Sequence, residues 1–136
     1  MSALDTNVLV RWLVEPAGPE DVNQAATARR LMTRTLADGD RLFVPITVTL
    51  ELEWVLRSRY KQTKAQFLQV LGALLNTVDL EFDHERALEE ALLNYRSTAA
   101  ELADCLHAAI AAQAGAGPLL TFDRAAAKVG GADLLR

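Results

Sequence analysis

The sequence lacks the residues that several common kinds of site require. Its single cysteine, Cys105, excludes an internal disulfide framework, and that side chain is expected to be a small buried hydrophobic group. There is no Gly-rich phosphate loop, no pair of cysteines, no His-Glu-x-x-His zinc signature and no Gly-x-Ser-x-Gly elbow. The familiar motifs for nucleotide binding, zinc binding and serine hydrolysis are therefore absent.

Positive charge and long apolar runs are also scarce. Lys and Arg number 14 against 18 Asp and Glu, which gives a formal net charge of −4. A broad basic surface for coating nucleic acid is therefore not expected, although bound divalent cations would offset part of the negative charge. No apolar segment reaches membrane-spanning length and no secretory signal pattern occurs, so we expect a cytoplasmic protein without a membrane partner.

What remains is the composition of one globular domain over residues 1–136, with 51% hydrophobic and 24% charged residues. Apolar runs that alternate with helical patterns favour an α/β fold with a small, mostly parallel sheet covered by helices. The pattern predicts strands at about 1–4, 41–44, 78–82, 119–121 and 132–135. It predicts helices at about 8–14, 19–37, 47–57, 63–76, 83–92, 99–114 and 124–129.

Four acidic residues stand where a carboxylate needs an explanation: Asp5, Glu51, Asp104 and Asp123. The first and last follow short strand-like runs, and α/β folds build their sites at such strand ends. The other two lie in amphipathic helical segments, on faces predicted to point toward the core. Gathered together, four carboxylates would repel one another, and a divalent cation is the usual compensation. Oxygen-only ligands favour Mg²⁺ or Mn²⁺ over zinc.

Simpler roles remain open for three residues near these positions. Asp5 and Asp123 each precede a predicted helix, so either side chain can be a helix cap or part of an Asx turn. His107, which follows Asp104 by three residues, can be a metal ligand or a partly buried core histidine. An Asp–His pair at this spacing would be weak.

Glu53 provides an internal comparison for Glu51. Two residues apart on a helix, the side chains are separated by about 200° and cannot share a face. Glu53 has Arg57 four residues later, a favourable surface pairing, whereas Glu51 has no basic residue on its stripe. Glu51 is therefore the functional candidate, and Glu53 is expected to be the solvated one.

Four segments of the chain together resemble the PIN-domain ribonucleases, specifically the VapC-type toxins of bacterial toxin–antitoxin pairs. They are residues 4–9 (LDTNVL), 44–56 (VPITVTLELEWVL), 102–109 (LADCLHAA) and 120–123 (LTFD). The resemblance implies a PIN-like three-layer α/β/α fold. It also implies that the four acidic residues form a catalytic metal site, with polar support from Thr6, Asn7 and Thr121.

The resemblance further implies an activity, namely endonucleolytic cleavage of RNA with Mg²⁺, for which Mn²⁺ can substitute. Structured RNAs such as transfer RNA are among the family's targets. The basic segment after the Glu51 helix can contact RNA phosphates through Arg57, Arg59, Lys61 and Lys64. A solvated connection between helices is an equally open interpretation of that segment.

The implied partners are a VapB-type antitoxin and a second copy of the chain. Such an antitoxin has a DNA-binding N-terminal part, so DNA would be met only indirectly, and a disordered tail that folds on binding. A homodimer is expected, with the apolar faces of the helices at 47–57 and 63–76 as candidate surfaces.

Two readings from other classes remain as alternatives. A receiver-like signalling domain also binds Mg²⁺ through acidic residues, but Asp83 would be its phosphoacceptor and the sequence predicts that Asp83 begins a helix. A non-catalytic α/β binding module would carry the same pattern without metal chemistry.

Overall fold

The computed structural model describes residues 1–136, which fall into two compact units, Met1–Asp83 and His84–Arg136. The first unit contains β1 (Ser2–Ala3), α1 (Thr6–Leu13), α2 (Pro19–Ala37), β2 (Leu42–Val44), α3 (Ile46–Ser58), α4 (Lys64–Leu75) and β3 (Leu80–Phe82). The second contains α5 (Glu85–Ser97), α6 (Leu102–Gln113), β4 (Leu119–Thr121), a 3-10 turn (Ala126–Lys128) and β5 (Ala132–Leu134).

The sheet of the first unit is parallel, with the strands in the order β1-β2-β3. Leu42 and Val44 of β2, opposite Leu80 and Phe82 of β3, are at most 5% exposed, as expected for a parallel sheet covered by helices. All three strands end at the same edge because they are parallel. The residues that follow the strands are therefore delivered to one edge of this sheet.

Local capping signals set where the helices of the first unit begin. Pro19 occupies the first position of α2, with Glu20 and Asp21 in its first turn. The capping box of α4 is complete, since the Thr63 hydroxyl accepts from Gln66 N at 3.1 Å and the Gln66 side chain accepts from Thr63 N at 2.8 Å. Both helices lie where the sequence predicted them.

The apolar faces of α3 and α4 pack into the core of the first unit. Leu52, Leu56, Phe67 and Leu71 are fully buried. These faces were the candidate surfaces for pairing with a second copy, and that assignment is wrong because the chain already covers them. Trp54 of α3 is 58% exposed. Self-association itself stays a prediction, which sedimentation velocity would test.

The second unit pairs two helices and a small parallel sheet. Helix α5 buries Ala87, Leu88, Ala91, Leu92 and Tyr95, while α6 buries Leu102, Cys105, Leu106, Ala108 and Ala109. The many alanines bring the two helix backbones close together. Strands β4 and β5 are parallel, with Leu119 opposite Ala132.

Every predicted strand and all but one of the predicted helices are present, and most differences lie at their ends. Helix α1 begins two residues before the predicted start because Asp5 caps it. Helix α6 begins at Leu102, not near residue 99, because Glu101 is extended and ends the preceding non-helical stretch. The helix predicted at 124–129 is only a 3-10 turn. No helix combines the length and the apolar character needed to cross a bilayer.

Candidate active site

Asp5 joins the first strand to the first helix. After β1, Leu4 N still donates to Phe43 O at 2.9 Å, which holds the chain against β2 up to the start of α1. Asp5 Oδ1 then accepts from Thr6 N at 2.8 Å as the N-cap of α1. The capping role that the sequence left open is therefore confirmed. Asp5 is an exposed residue, and its second carboxylate oxygen, Oδ2, makes no hydrogen bond within the chain.

Thr6 connects this strand end to α3. Its side chain is buried, with 3% of the residue exposed, and its Oγ1 donates a hydrogen bond to Oε1 of Glu51. A buried hydroxyl needs a partner, and here that partner is a carboxylate 45 residues away in the chain. The structure thus brings Asp5 and Glu51 to either side of Thr6, one through the backbone and the other through its hydroxyl.

The predicted burial of the two glutamates on α3 was wrong. Glu51 is exposed, whereas the Glu53 side chain is only 18% exposed. The buried stripe follows Thr49, Leu52 and Leu56, not the stripe of Glu51, because the flanking valines on the Glu51 side are only half-buried. The charge pattern was right: Glu53 Oε1 lies 3.9 Å from Arg57 Nη1, and Glu51 has no basic partner.

Asp104 lies in the first turn of α6, where the helix dipole favours a negative charge. Its side chain is half-buried and makes no hydrogen bond or ion pair within the chain. The neighbouring Cys105 is fully buried, as the sequence predicted. His107 is exposed, so the interpretation of it as a partly buried core histidine was wrong. The alanine-rich stripe buries positions 108 and 109 instead.

Asp123 caps the short turn that follows β4. Its Oδ1 accepts from Ala125 N at 2.8 Å and from Ala126 N at 3.1 Å. The Thr121 hydroxyl accepts from Asp123 N at 3.0 Å, so Thr121 holds the backbone of the aspartate. These contacts are those of an Asx turn, one of the two roles left open for Asp123, whereas the N-cap of the 3-10 turn itself is Ala125. Asp123 is exposed.

None of the four candidate carboxylates has a cationic partner. Asp21, Asp40, Glu53 and Glu81, by contrast, each form an ion pair. Unpaired oxygen donors fit a hard divalent cation, so the chemistry of these residues suits Mg²⁺ or Mn²⁺. No group of three or more His, Cys, Asp or Glu side chains is spaced to hold a metal ion, and the four-residue set therefore stays a prediction.

Two structural features near these residues were not predicted, because no sequence motif indicated them. Asp83, at the end of β3, accepts from Ile46 N at 3.1 Å through Oδ2 and so holds the start of α3. A cavity of about 560 Å³ lies along α1 and α2, and Asn7 lines it. The only sequence signal for the cavity was a pair of arginines one helical turn apart, Arg30 and Arg34.

Similarity to known proteins assigns the chain to a family. The PIN domain model matches residues 3–132, so the chain belongs to the PIN domain family. The predicted fold class is confirmed. A VapC ribonuclease from Aquifex aeolicus (strain VF5) is 28% identical over 130 residues, which cover 96% of this chain and 93% of that protein.

The cap at Asp5 predicts that two substitutions there differ in stability. Asp5→Ala removes the acceptor for Thr6 N and should lower the free energy of unfolding by about 0.5–2 kcal/mol, the usual cost of a lost N-cap. Asp5→Asn keeps a side-chain acceptor and should stay within about 0.5 kcal/mol of the parent. Urea denaturation measures both, and equal losses would show that the cap contributes nothing.

Proposed function

We propose that this chain is a metal-dependent endoribonuclease and the toxin component of a VapBC-type toxin–antitoxin pair. The observation that carries the proposal is the absence of any cationic partner at four carboxylates in a PIN-family chain. Similarity to a VapC ribonuclease along nearly the whole of both chains supports the reaction class.

The proposed cofactor is Mg²⁺, with Mn²⁺ as a substitute, held by Asp5, Glu51, Asp104 and Asp123. A bound divalent ion of this kind activates water for attack on a phosphodiester and neutralises the charge that develops on the transferred phosphate. Carboxylates that lack lysine or arginine partners keep their lone pairs and charge available for such an ion. The assignment of all four to one ion rests on the resemblance of the motifs.

The chain's own contacts orient these groups before any ligand arrives. The Thr6 hydroxyl fixes one oxygen of Glu51, and the helix cap fixes one oxygen of Asp5. Thr121 holds the backbone at Asp123. Each carboxylate with a fixed oxygen keeps another for a ligand, and such preorganisation lowers the entropic cost of assembling the reacting groups.

The proposed substrate is RNA, with structured RNAs such as transfer RNA as the first class to test. In the basic segment, Arg59 and Lys61 are exposed. Arg57 already pairs with Glu53, and Lys64 is half-buried. Phosphate contacts are therefore assigned first to Arg59 and Lys61. Such contacts position a nucleic acid but do not select its sequence.

The receiver-like alternative loses its phosphoacceptor. The phosphoacceptor of such a domain ends a central strand, whereas Asp83 follows β3, which is an edge strand of its three-stranded sheet. One oxygen of Asp83 also accepts from Ile46 N and holds the start of α3.

The first functional prediction is RNA cleavage that depends on a divalent ion. Purified protein should cut structured RNA with Mg²⁺ or Mn²⁺ and stop when EDTA is added. Ca²⁺ should bind yet support little turnover, because its loose coordination positions water poorly. Gel analysis of end-labelled RNA checks this, and undiminished cutting in the chelator would refute metal dependence.

The second functional prediction compares the two glutamates of α3. Glu51→Gln should lower the cleavage rate by roughly 100-fold, the scale of effect produced by losing one preorganised charge-stabilising group. Glu53→Gln weakens the pair with Arg57, worth about 0.2–1 kcal/mol of stability, and should leave the rate within about twofold. Single-turnover rates measure both. Similar losses in the two variants would contradict the assignment of Glu51.

The third functional prediction concerns the antitoxin. We propose a VapB-type partner whose tail places an arginine among the acidic residues, where it would pair with carboxylates and compete with the metal ion. The chain expressed alone should arrest growth, and co-expression of the antitoxin encoded beside it should relieve the arrest. Asp5→Asn should relieve it as well, because that variant keeps the helix cap but loses charge. Growth curves with matched protein levels test this, and a fully toxic Asp5→Asn protein would contradict the active-site assignment.

A further inference from the structure

A groove runs along α1 and α2 within the first unit, with a volume of about 560 Å³. Its lining combines polar side chains with arginines and a few aliphatic groups. Among the lining residues are Asn7, Asn23, Thr27, Leu31, Arg30 and Arg34. No aromatic side chain lines it, so a ligand would not be held by stacking on aromatic rings.

The groove carries positive charge that the chain does not neutralise. Arg11, which also lines it, is paired with Asp21 at 3.1 Å and donates to Gln24 at 2.7 Å. Arg30 and Arg34 are exposed and have no acidic partner; Arg30 only donates to the Thr27 hydroxyl at 3.0 Å. Like charges one turn apart weaken a helix. In a chain with net charge −4, two such arginines facing a cavity suit an anionic ligand.

The groove also adjoins the part of the proposed active site that belongs to the first unit. Asn7 lines the groove and directly follows Thr6, whose hydroxyl binds Glu51. An extended ligand held by Arg30 and Arg34 would therefore reach the residues next to Asp5 and Glu51 through Asn7.

We propose that this α1–α2 groove binds a single-stranded segment of the RNA substrate, with Arg30 and Arg34 holding phosphates. Asn7 and Asn23 present amides that can donate to and accept from base edges and 2′-hydroxyls. An acidic peptide could use the same arginines, and it is therefore the alternative ligand that the experiment must separate from RNA. The inference rests on the proposed ribonuclease function and deepens it by assigning a site for the strand that leads to the acidic residues.

The test measures binding without turnover and uses a matched arginine. The full chain carrying Asp5→Asn is titrated, in EDTA, into a fluorescent unstructured 10-nucleotide RNA of mixed sequence, and anisotropy is followed across salt concentrations. Arg30→Gln/Arg34→Gln should weaken binding at low salt by about tenfold or more and flatten the log–log salt slope by about 1.4, since each phosphate contact in a single strand contributes about 0.7. Arg29→Gln is the control, because Arg29 is exposed on the same helix but does not line the groove. It should change affinity less than twofold.

A second readout locates the RNA directly. The same RNA with 4-thiouridine should crosslink under ultraviolet light to peptides from α1 and α2, and this crosslinking should fall in the double variant. Thermal unfolding confirms that each variant is folded. The proposal is overturned by any of three results: the Asp5→Asn protein does not bind the RNA, Arg29→Gln and the double variant lose the same affinity, or the crosslinks lie only in other segments.

Two further outcomes separate this proposal from the proposed function. If the unsubstituted chain and Arg30→Gln/Arg34→Gln cleave RNA at the same rate, the groove is not the RNA-binding site, but the proposed ribonuclease function is unaffected. Groove-dependent RNA binding without cleavage at any metal concentration would support the groove and overturn the ribonuclease function. An acidic leucine-containing peptide is titrated in the same way. If the double variant loses binding of this peptide but keeps binding of RNA, the groove binds a protein partner and the RNA assignment is overturned.

Discussion

The hydrogen bond from the buried Thr6 hydroxyl to Glu51 is the constraint on which the candidate site of the first unit depends. It links the end of β1 to α3 across 45 residues of chain. As a result, Asp5, which follows β1, and Glu51, which lies on α3, both make a hydrogen bond with Thr6. Leaving that hydroxyl unpaired in the core would cost about 1–3 kcal/mol. Folding of the first unit therefore favours the arrangement that presents Glu51 beside Asp5.

The distribution of ion pairs separates acids that serve stability from acids that are left available. Asp21 and Glu81 each form an ion pair with an arginine at about 3 Å, and Glu53 forms one with Arg57. Surface pairs of this kind contribute little energy. The four candidate carboxylates carry no such partner, although three of them also act as a helix cap, a turn cap or a hydrogen-bond acceptor. Capping and function are thus compatible at one residue, because a carboxylate has two oxygens.

Local signals predicted the elements well and the tertiary surroundings poorly. Pro19 and the Thr63 capping box placed their helices correctly because capping is a property of a few adjacent residues. The burial of Glu51 and of His107 was predicted wrongly, since helical periodicity does not tell which of two plausible stripes meets the core. The α1–α2 groove was missed because it exists only once two helices pack. The absence of a basic residue near Glu51, the burial of Cys105 and the cap at Asp5 could be predicted, because each depends on a few adjacent residues.

The central proposal is that Asp5, Glu51, Asp104 and Asp123 are ligands of a divalent ion, and calorimetric titration of Mn²⁺ tests it most directly. We expect saturable binding by the parent protein. Affinity should fall roughly tenfold or more in Asp5→Asn and in Asp104→Asn alike, within the range seen when the groups around a metal are altered. Glu53→Gln should bind Mn²⁺ as the parent does. Unchanged affinity in Asp104→Asn alongside a loss in Asp5→Asn would contradict the shared site, and unchanged affinity in both would refute the metal assignment.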